Sequence, residues 1–247
     1  MNDPGQAMHF NQAAFDIRCE WGENGVARLA PVSDVVIIVD VLSFSTCVEI
    51  ATARGALVFP YRWRDASAAE FARSIGAELA STQRGGGRYS LSPTSLVSVA
   101  QNTRLVLPSP NGASLTLKTG TTPTLAGCLR NCRAVAQAAM QYGRRIAVIP
   151  AGERWPDGSL RPAVEDLIGA GAIISHLHEA YSPEAHTALA SYQSASRALG
   201  DMLKHCGSGR ELIARGFEDD VRLAAELDVS GCVPVCVQGA YVRRGCA

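Results

Sequence analysis

Residues 35–46 constrain the fold of this chain more than any other stretch. They open with five consecutive apolar residues, most of them β-branched, in Val35-Val-Ile-Ile-Val39. A run without polar alternation is typical of a strand buried on both faces, as in a parallel sheet covered by helices. Asp40 follows where the strand should end, and a helix is predicted to begin shortly after it and to stop at Gly55. The local order is therefore strand, acid, turn and helix.

The turn after this strand is rich in hydroxyl groups, which come from Ser43, Ser45 and Thr46. A helix N-terminus offers unpaired N–H groups and a partial positive charge, so the turn predicts an anion site. A carboxylate beside an anion needs a cation or a proton between them, which makes Asp40 a candidate metal ligand or proton-transfer group. The alternative is that Asp40 only caps the helix and that the hydroxyls serve the turn. This segment alone leaves both interpretations open.

The rest of the chain alternates strands with helices. Strands are predicted at residues 15–21, 56–60, 104–107, 124–128, 146–149 and 233–237, and the first of them should end in a turn at residues 22–25. Such alternation implies parallel strands joined by right-handed crossovers. The predicted class is α/β, a largely parallel sheet with helices on both faces (three-layer α/β/α) and a helical C-terminal third. We expect one domain over residues 1–247, weakly ordered over residues 1–12.

Charge and hydropathy exclude several classes of function. The 247 residues carry 23 Lys and Arg against 23 Asp and Glu, so nothing indicates nucleic acid or an anionic membrane as a partner. Apolar runs are shorter than the roughly 18 residues of a membrane helix, and the first ten residues lack a signal-peptide pattern. We therefore expect a cytoplasmic protein, and the composition is compatible with a homo-oligomer.

Four predicted strands end in turns that bear polar groups. These groups are Asp40 and its hydroxyl turn, then Ser109, Asn111 and Gly112, then Arg130 and Asn131, and finally Glu153. The carboxyl ends of parallel strands share one edge of a sheet, so these groups should converge. Arginine and helix ends suit phosphate oxygens, and carboxylates suit a hard cation. Capping chemistry alone explains the hydroxyls and amides, but not the arginine or Glu153.

Two other charged segments allow a plain structural interpretation. The loop Arg84-Gly-Gly-Gly-Arg88 could clamp an anion, but it lacks the Walker lysine and the dinucleotide spacing, so a mobile surface loop is preferred. Asp220 opens a predicted helix together with two other acids, and we interpret the three as partners of the helix dipole. Glu165 and Asp166 could likewise be first-turn acids that interact with the dipole of their helix. Being adjacent on a helix they point about 100° apart, so only one could face an ion directly.

Several short strings jointly resemble the 2-phosphosulfolactate phosphatase family. In chain order they are Asp40-Val-Leu-Ser-Phe-Ser-Thr46, Ser109-Pro-Asn-Gly112, Cys128-Leu-Arg-Asn131, Ala151-Gly-Glu153, Val164-Glu-Asp166, Gly169-Ala-Gly171, Gly216-Phe-Glu-Asp-Asp220 and Val233-Pro234. The resemblance implies an α/β enzyme that depends on Mg²⁺ and releases phosphate from 2-phospho-3-sulfolactate on a route to coenzyme M. By motif position it also implies that Asp40, Asn111, Glu165 and Asp166 belong to the active site.

Residues and resemblance together define an expected site for a small phosphorylated organic acid. The expected catalytic residues are Asp40, Glu165 and Asp166, and the expected Mg²⁺ ligands are Asp40, Glu153 and Asp166. The expected phosphate and substrate contacts are Ser43, Ser45, Thr46, Ser109, Asn111, Gly112, Arg130 and Asn131. Two rivals stay open, namely the same fold acting on a different substrate and a non-catalytic module that binds an anion or a nucleotide.

One departure from the family pattern concerns the substrate. Family members commonly carry Arg-Ala after Asp-Val-Leu, whereas this chain has Ser43 and Phe44. Without this guanidinium, the turn lacks up to five N–H donors that could bind a sulfonate or carboxylate. We therefore expect a substrate with less negative charge beyond the phosphate, unless Arg84, Arg88 or Arg154 supplies the cation instead.

Overall fold

A large mixed sheet forms the centre of the computed structural model, which describes residues 10–63, 65–178 and 180–245. The strands are β1 (Ile17–Cys19), β2 (Val35–Val39), β3 (Leu57–Tyr61), β4 (Glu78–Leu79), β5 (Arg104–Pro108), β6 (Thr124–Gly127), β7 (Ile146–Pro150), β8 (Glu153–Arg154), β9 (Leu160–Arg161), β10 (Pro234–Val237) and β11 (Ala240–Arg243). Nine of these described strands pair in the order β1-β7-β2-β6-β10-β11-β3-β5-β4. Strands β8 and β9 form a separate antiparallel ribbon.

Helices cover this sheet and fill much of the C-terminal third, as predicted. They are α1 (Gly22–Leu29), α2 (Phe44–Ala53), α3 (Ala66–Ser74), α4 (Pro93–Leu96), α5 (Gly112–Lys118), α6 (Cys132–Ala139), α7 (Val164–Ile174), α8 (Pro183–Ala195), α9 (Leu199–His205), α10 (Gly207–Ala214) and α11 (Glu218–Ala224). Short 3-10 turns lie at Ala30–Val32, Leu129–Asn131 and Ser196–Ala198. Over the described ranges, every helix is too short or too polar to cross a membrane.

Strand β2 is buried on both faces, which confirms the prediction from its uninterrupted apolar run. Its five side chains have no exposed surface. Val35, Ile37 and Val39 belong to one apolar cluster together with residues of α6, α7 and α8. Val36 and Ile38 point the other way, into a second cluster with residues of α1. The alternation of a strand thus distributes one continuous apolar run between two cores.

The sheet is mostly parallel, but it contains one reversal that the sequence does not predict. Strands β1, β7, β2 and β6 run parallel to one another, and so do β3, β5 and β4. The hairpin β10–β11 lies between these two groups and pairs antiparallel with β6 on one side and β3 on the other. Three successive antiparallel pairings make the second group run opposite to the first. The prediction of a largely parallel sheet is confirmed, with this hairpin as its exception.

The start of the described chain differs from the expectation of a strand followed by a turn. The strand covers only Ile17–Cys19, and Gly22–Leu29 is a helix. Gly22 has φ +58°, and a Cβ on Gly25 would lie 2.6 Å from the carbonyl oxygen of Glu20, so these two glycines let the helix start directly against the strand. Of the weakly ordered start expected over residues 1–12, residues 1–9 lie outside the described ranges.

Close packing of α7 against α8 should make Gly171 intolerant of a side chain. A Cβ there would lie 2.0 Å from the carbonyl oxygen of Ala188, so Gly171→Ala should lower the free energy of unfolding by about 1–3 kcal/mol. The matched control is Gly200→Ala in α9, where an added Cβ meets nothing within 4 Å and should be neutral or stabilising by up to about 1 kcal/mol. Urea unfolding of both variants makes the comparison, and equal stability of the two would contradict it.

Candidate active site

Asp40 lies at the end of β2, where two backbone N–H groups hold its carboxylate. Phe44 donates its N–H to Oδ1 at 3.0 Å, and Gly112 donates its N–H to Oδ2 at 2.9 Å. These donors stand at the starts of α2 and α5, so one carboxylate joins the turns that follow β2 and β5. The Asp40 side chain is buried, and burial raises the pKa of its carboxyl while the two N–H groups act in the opposite direction.

The approach of Gly112 to Asp40 depends on the missing side chain. A Cβ on Gly112 would lie 2.3 Å from Cδ1 of Phe44 and 2.8 Å from Oδ2 of Asp40. The turn after β5 therefore reaches Asp40 only because a glycine stands there. The sequence predicted this contact from parallel strands that share one edge of the sheet. Because β5 runs opposite to β2, the contact arises instead from the turn that follows β5.

Two of the predicted hydroxyl contacts point into the turn itself. Ser45 Oγ accepts the N–H of Asp40 at 3.0 Å and donates to the carbonyl of Ile38 at 3.0 Å. Thr46 Oγ1 donates to the carbonyl of Val41 at 2.8 Å. Both side chains are fully buried. They fix the backbone that presents Asp40.

Asp166 joins the ends of β2 and β7. Its Oδ1 accepts the N–H of Val41 at 2.7 Å, and its Oδ2 accepts the N–H of Gly152 at 2.9 Å. Gly152 has φ +67°, a conformation that favours glycine. Burial, followed by the charges of Asp40 and Glu165, raises the pKa of Asp166 well above its usual value.

Glu153 and Glu165 complete a group of four neighbouring acids. Glu153 Oε2 accepts a hydrogen bond from Asn111 Nδ2 at 2.8 Å. Burial, and then the charge of Asp40, raises the pKa of Glu153 to about 7. Glu165 is buried on the first turn of α7, next to the Cys206 thiol. Mutual repulsion among these carboxylates is therefore a property of the site.

The acids at the ends of β2 and β7 provide oxygen donors of the kind that Mg²⁺ prefers. Among the described residues, no three or more His, Cys, Asp or Glu side chains come together as a ready metal cage. Mg²⁺ does not require one, because one or two carboxylates, water and substrate phosphate commonly complete its octahedron. Burial and neighbouring carboxylates raise the pKa of Asp40, Glu153 and Asp166, and a cation would relieve this repulsion, so one or two of these hard carboxylates suit such a partly bound ion.

A cleft of about 170 Å³ opens beside Asp40. It is lined by five of the predicted site residues, namely Asp40, Ser43, Ser109, Asn111 and Glu153. Its other polar lining residues are Thr82, Arg84, Ser208, Glu211 and Arg215, of which the sequence indicated only Arg84, as a possible anion clamp or substitute cation. The cleft thus carries both acids and guanidinium groups.

Arg130 and Asn131 are not among the residues that line this cleft. Arg130 Nε donates to Glu49 Oε2 at 2.7 Å, and its Nη1 binds Glu226 and the Leu223 carbonyl. Asn131 accepts the N–H of Cys128 at 2.9 Å and is fully buried. Both side chains hold neighbouring elements together, so the guanidinium groups at the cleft are those of Arg84 and Arg215.

Arg84 reaches the cleft from the glycine-rich loop that the sequence argument preferred to treat as a mobile surface segment. Its Nη2 donates to Ser43 Oγ at 2.9 Å, and its Nη1 donates to Asp220 Oδ2 at 2.6 Å. Asp220 is buried, which corrects its interpretation as a simple helix-dipole acid. The available signal was an arginine beside glycines, but its partner stands 136 residues away in the chain.

Comparison with known proteins identifies the family of this chain. An acidic cleft at the end of a central strand in an α/β sheet is a typical site of an enzyme that acts on a small molecule. The family model 2-phosphosulpholactate phosphatase matches residues 26–239. The chain belongs to the 2-phosphosulfolactate phosphatase family and is a phosphatase, which confirms the resemblance found in its motifs.

Curated relatives cover most of the chain. A 2-phosphosulfolactate phosphatase of Methanothermobacter thermautotrophicus is 30% identical over 211 residues, which are 84% of this chain and 88% of that protein. A protein of Carboxydothermus hydrogenoformans with the name "Probable 2-phosphosulfolactate phosphatase" is 30% identical over 208 residues, 81% of this chain and 84% of its own. A protein of the same name from Pseudothermotoga lettingae is 25% identical over 220 residues, 87% and 95% of the two chains.

The raised pKa of Glu153 predicts a pH-dependent stability. Its folded pKa of about 7 lies above the unfolded value of about 4.3, so its stabilising contribution is complete below pH ~4.3 and is lost as pH rises through ~7. In the metal-free protein, the free energy of unfolding should fall across this window more steeply for the wild type than for Glu153→Gln. Urea unfolding at a series of pH values measures the difference, and parallel curves throughout the window would refute it.

Proposed function

We propose that this chain is a Mg²⁺-dependent phosphomonoester hydrolase that releases phosphate from a small acidic organophosphate. The first candidate substrate is 2-phosphosulfolactate, because the curated relatives carry that name. The observation that carries the proposal is the Asp40 carboxylate, which the N-terminal turns of α2 and α5 hold at a cleft that also contains guanidinium groups. As part of the same proposal, the enzyme works in the cytoplasm, on a route to coenzyme M.

Asp40, Glu153 and Asp166 are the proposed Mg²⁺ ligands. When bound, the ion would neutralise phosphate charge and polarise a phosphoryl oxygen. The two hydrogen bonds from Val41 and Gly152 fix Asp166, and the hydrogen bond from Asn111 orients Glu153. These contacts orient the individual carboxylates before an ion arrives, but among the described residues the three do not come together as a ready cage, so binding the ion would also draw them closer.

The remaining polar groups of the cleft suit the phosphate. The Ser43 and Ser109 hydroxyls and the Asn111 amide can donate to phosphate oxygens. Preorganised donors of this kind stabilise the charge that develops in phosphoryl transfer. Asp40 serves as nucleophile or as metal ligand, and either role requires its ionised carboxylate.

The second candidate, a different substrate on the same fold, depended on Ser43 and Phe44. Phe44 is fully buried and packs edge to face against Tyr241, with ring centroids 6.2 Å apart, so it does not line the cleft. Ser43 lines the cleft and accepts a hydrogen bond from Arg84. A cation therefore does stand beside position 43, which favours an acidic substrate over the less charged one.

Removal of the Asp40 charge tests the proposed function. Asp40→Asn should lower kcat/KM for Mg²⁺-dependent phosphate release by at least about 10³, because a key charge of the site disappears. The amide can accept only through its oxygen, so one of the two N–H bonds is lost and stability should fall by about 1–3 kcal/mol without loss of the fold.

The assay measures phosphate release from a panel of phosphomonoesters, with Mg²⁺ and with a chelator, and circular dichroism checks the fold. Asp219→Asn, whose side chain is 73% exposed in a surface ion pair, is the matched control and should retain wild-type turnover. A folded Asp40→Asn variant with near-normal turnover would show that Asp40 has no catalytic role. Undiminished turnover of the wild type in the presence of chelator would show that the reaction does not depend on Mg²⁺.

A further inference from the structure

Arg84 has a largely buried side chain whose guanidinium is held in a fixed position. Its side chain is 10% exposed, and it bonds to Ser43 and Asp220 at 2.9 Å and 2.6 Å. Asp220 is itself fully engaged, because its Oδ1 accepts from the Ser92 hydroxyl at 2.7 Å and from both the N–H and the hydroxyl of Thr94, at 3.0 Å and 2.7 Å. The carboxylate therefore cannot follow Arg84 if the arginine moves, and it acts as a rigid anchor.

A second guanidinium shares the same aromatic ring. Arg84 Cζ lies 5.6 Å from the centroid of the Phe217 ring, and Arg215 Cζ lies 5.9 Å from it. Both arginines line the cleft. Arg215 also pairs with Glu211 at 3.1 Å, but both partners of that pair are more than half exposed, so solvent weakens its effect. One ring thus carries two cations at one wall of the cleft.

These cations have capacity left for a ligand. A guanidinium has five N–H donors, and the contacts with Ser43 and Asp220 use two of those on Arg84. Asp220 pairs with Arg84 and Glu211 pairs with Arg215, but the second pair is exposed and screened by solvent, so this wall of the cleft keeps N–H donors and a partly uncompensated positive charge. The cleft therefore has an acidic part, made by Asp40 and Glu153, and a basic part, made by Arg84 and Arg215.

We propose that Arg84 and Arg215 form a second anion subsite, which binds the sulfonate or carboxylate that the substrate carries besides its phosphate. Asp220 is the positioning residue of this subsite. The inference rests on the proposed function, because it assigns the reacting phosphate to the part of the cleft next to Asp40. It also explains Ser43, since the cation that this turn lacks comes from Arg84 on another loop and rests on the Ser43 hydroxyl.

The test compares three phosphomonoesters of similar size. These are 2-phosphosulfolactate, 2-phospholactate, which lacks the sulfonate, and isopropyl phosphate, which lacks both acidic groups. Arg84→Gln should lower kcat/KM for 2-phosphosulfolactate roughly 10- to 100-fold, mainly through KM, as expected for loss of charge-assisted hydrogen bonds. For isopropyl phosphate it should change kcat/KM by less than about threefold, since no second anion is present.

Arg88→Gln is the matched control, because Arg88 lies in the same loop with its side chain 68% exposed, outside the residues that line the cleft. It should behave as the wild type on all three esters. If Arg84→Gln lowers kcat/KM for all three esters equally, Arg84 binds the phosphate itself and the second subsite is wrong. If the subsite is right, 2-phospholactate shows which acidic group Arg84 contacts. A loss of kcat/KM with this ester indicates the carboxylate, and no loss indicates the sulfonate.

The positioning role of Asp220 has its own readout. Asp220→Asn keeps an acceptor for Ser92 and Thr94 but removes the charge that aligns Arg84. It should raise KM for 2-phosphosulfolactate while leaving isopropyl phosphate unaffected, and the double variant with Arg84→Gln should be no worse than Arg84→Gln alone. Additive losses, or equal losses on every ester, would show that Asp220 serves only the fold.

A binding measurement separates this inference from the proposed function. If the wild type hydrolyses none of the esters, the function proposal fails, but calorimetric titration with sulfolactate still tests the subsite. Binding that Arg84→Gln weakens at least about tenfold and Arg88→Gln leaves intact supports the subsite. Equal binding by all variants, or no binding by the wild type, overturns it.

Discussion

The structure depends on one buried carboxylate that receives two backbone N–H groups from different turns. Asp40 ends the central strand, and its bonds to Phe44 and Gly112 join the helix that follows β2 to the helix that follows β5. A carboxylate buried this deeply is costly unless donors surround it. Helix N-termini provide such donors without bringing a counter-ion into the core. The same acid therefore holds the fold together and remains next to the cleft.

Repulsion among the acids extends from this point. Asp166 joins β2 to β7, Glu153 follows β7, and Glu165 lies buried beside them, so the pKa values of Asp40, Glu153 and Asp166 are each raised by burial and by at least one neighbouring carboxylate. The repulsion among these carboxylates costs stability, even though Asp40 and Asp166 each join separate elements through their hydrogen bonds. The presence of this acidic group is explained if a ligand offsets the charge, as Mg²⁺ and a phosphate ester would in the proposed function. The arginines on Phe217 complete the pattern by giving the cleft a positive wall.

Local patterns in the sequence were sufficient to predict most of the strands and part of the site, although they predicted a turn at residues 22–25, where the helix α1 begins. The apolar run before Asp40 predicted a strand covered on both faces. The polar turns predicted Asn111 and Glu153 as site residues, and both line the cleft together with Asp40. The reversal made by the β10–β11 hairpin has no local signal, because it depends on where two strands insert late in the chain. Likewise, the preference of Arg130 for Glu49 arises from a contact across 81 positions. Arg84 was considered as an anion clamp or a substitute cation, but its loop was expected to be mobile, because only the distant Asp220 shows that the arginine is fixed.

The central claim is that Asp40 is part of a cation and phosphate site in this cleft. The most direct measurement is a crystal structure of the protein with Mn²⁺ in place of Mg²⁺ and orthovanadate in place of phosphate, with the metal located by anomalous scattering. The account predicts Mn²⁺ in contact with Asp40 and with Glu153 or Asp166, and vanadate in the cleft between the metal and the Ser43 turn. Mn²⁺ bound away from these acids, or vanadate bound outside the cleft, would contradict it.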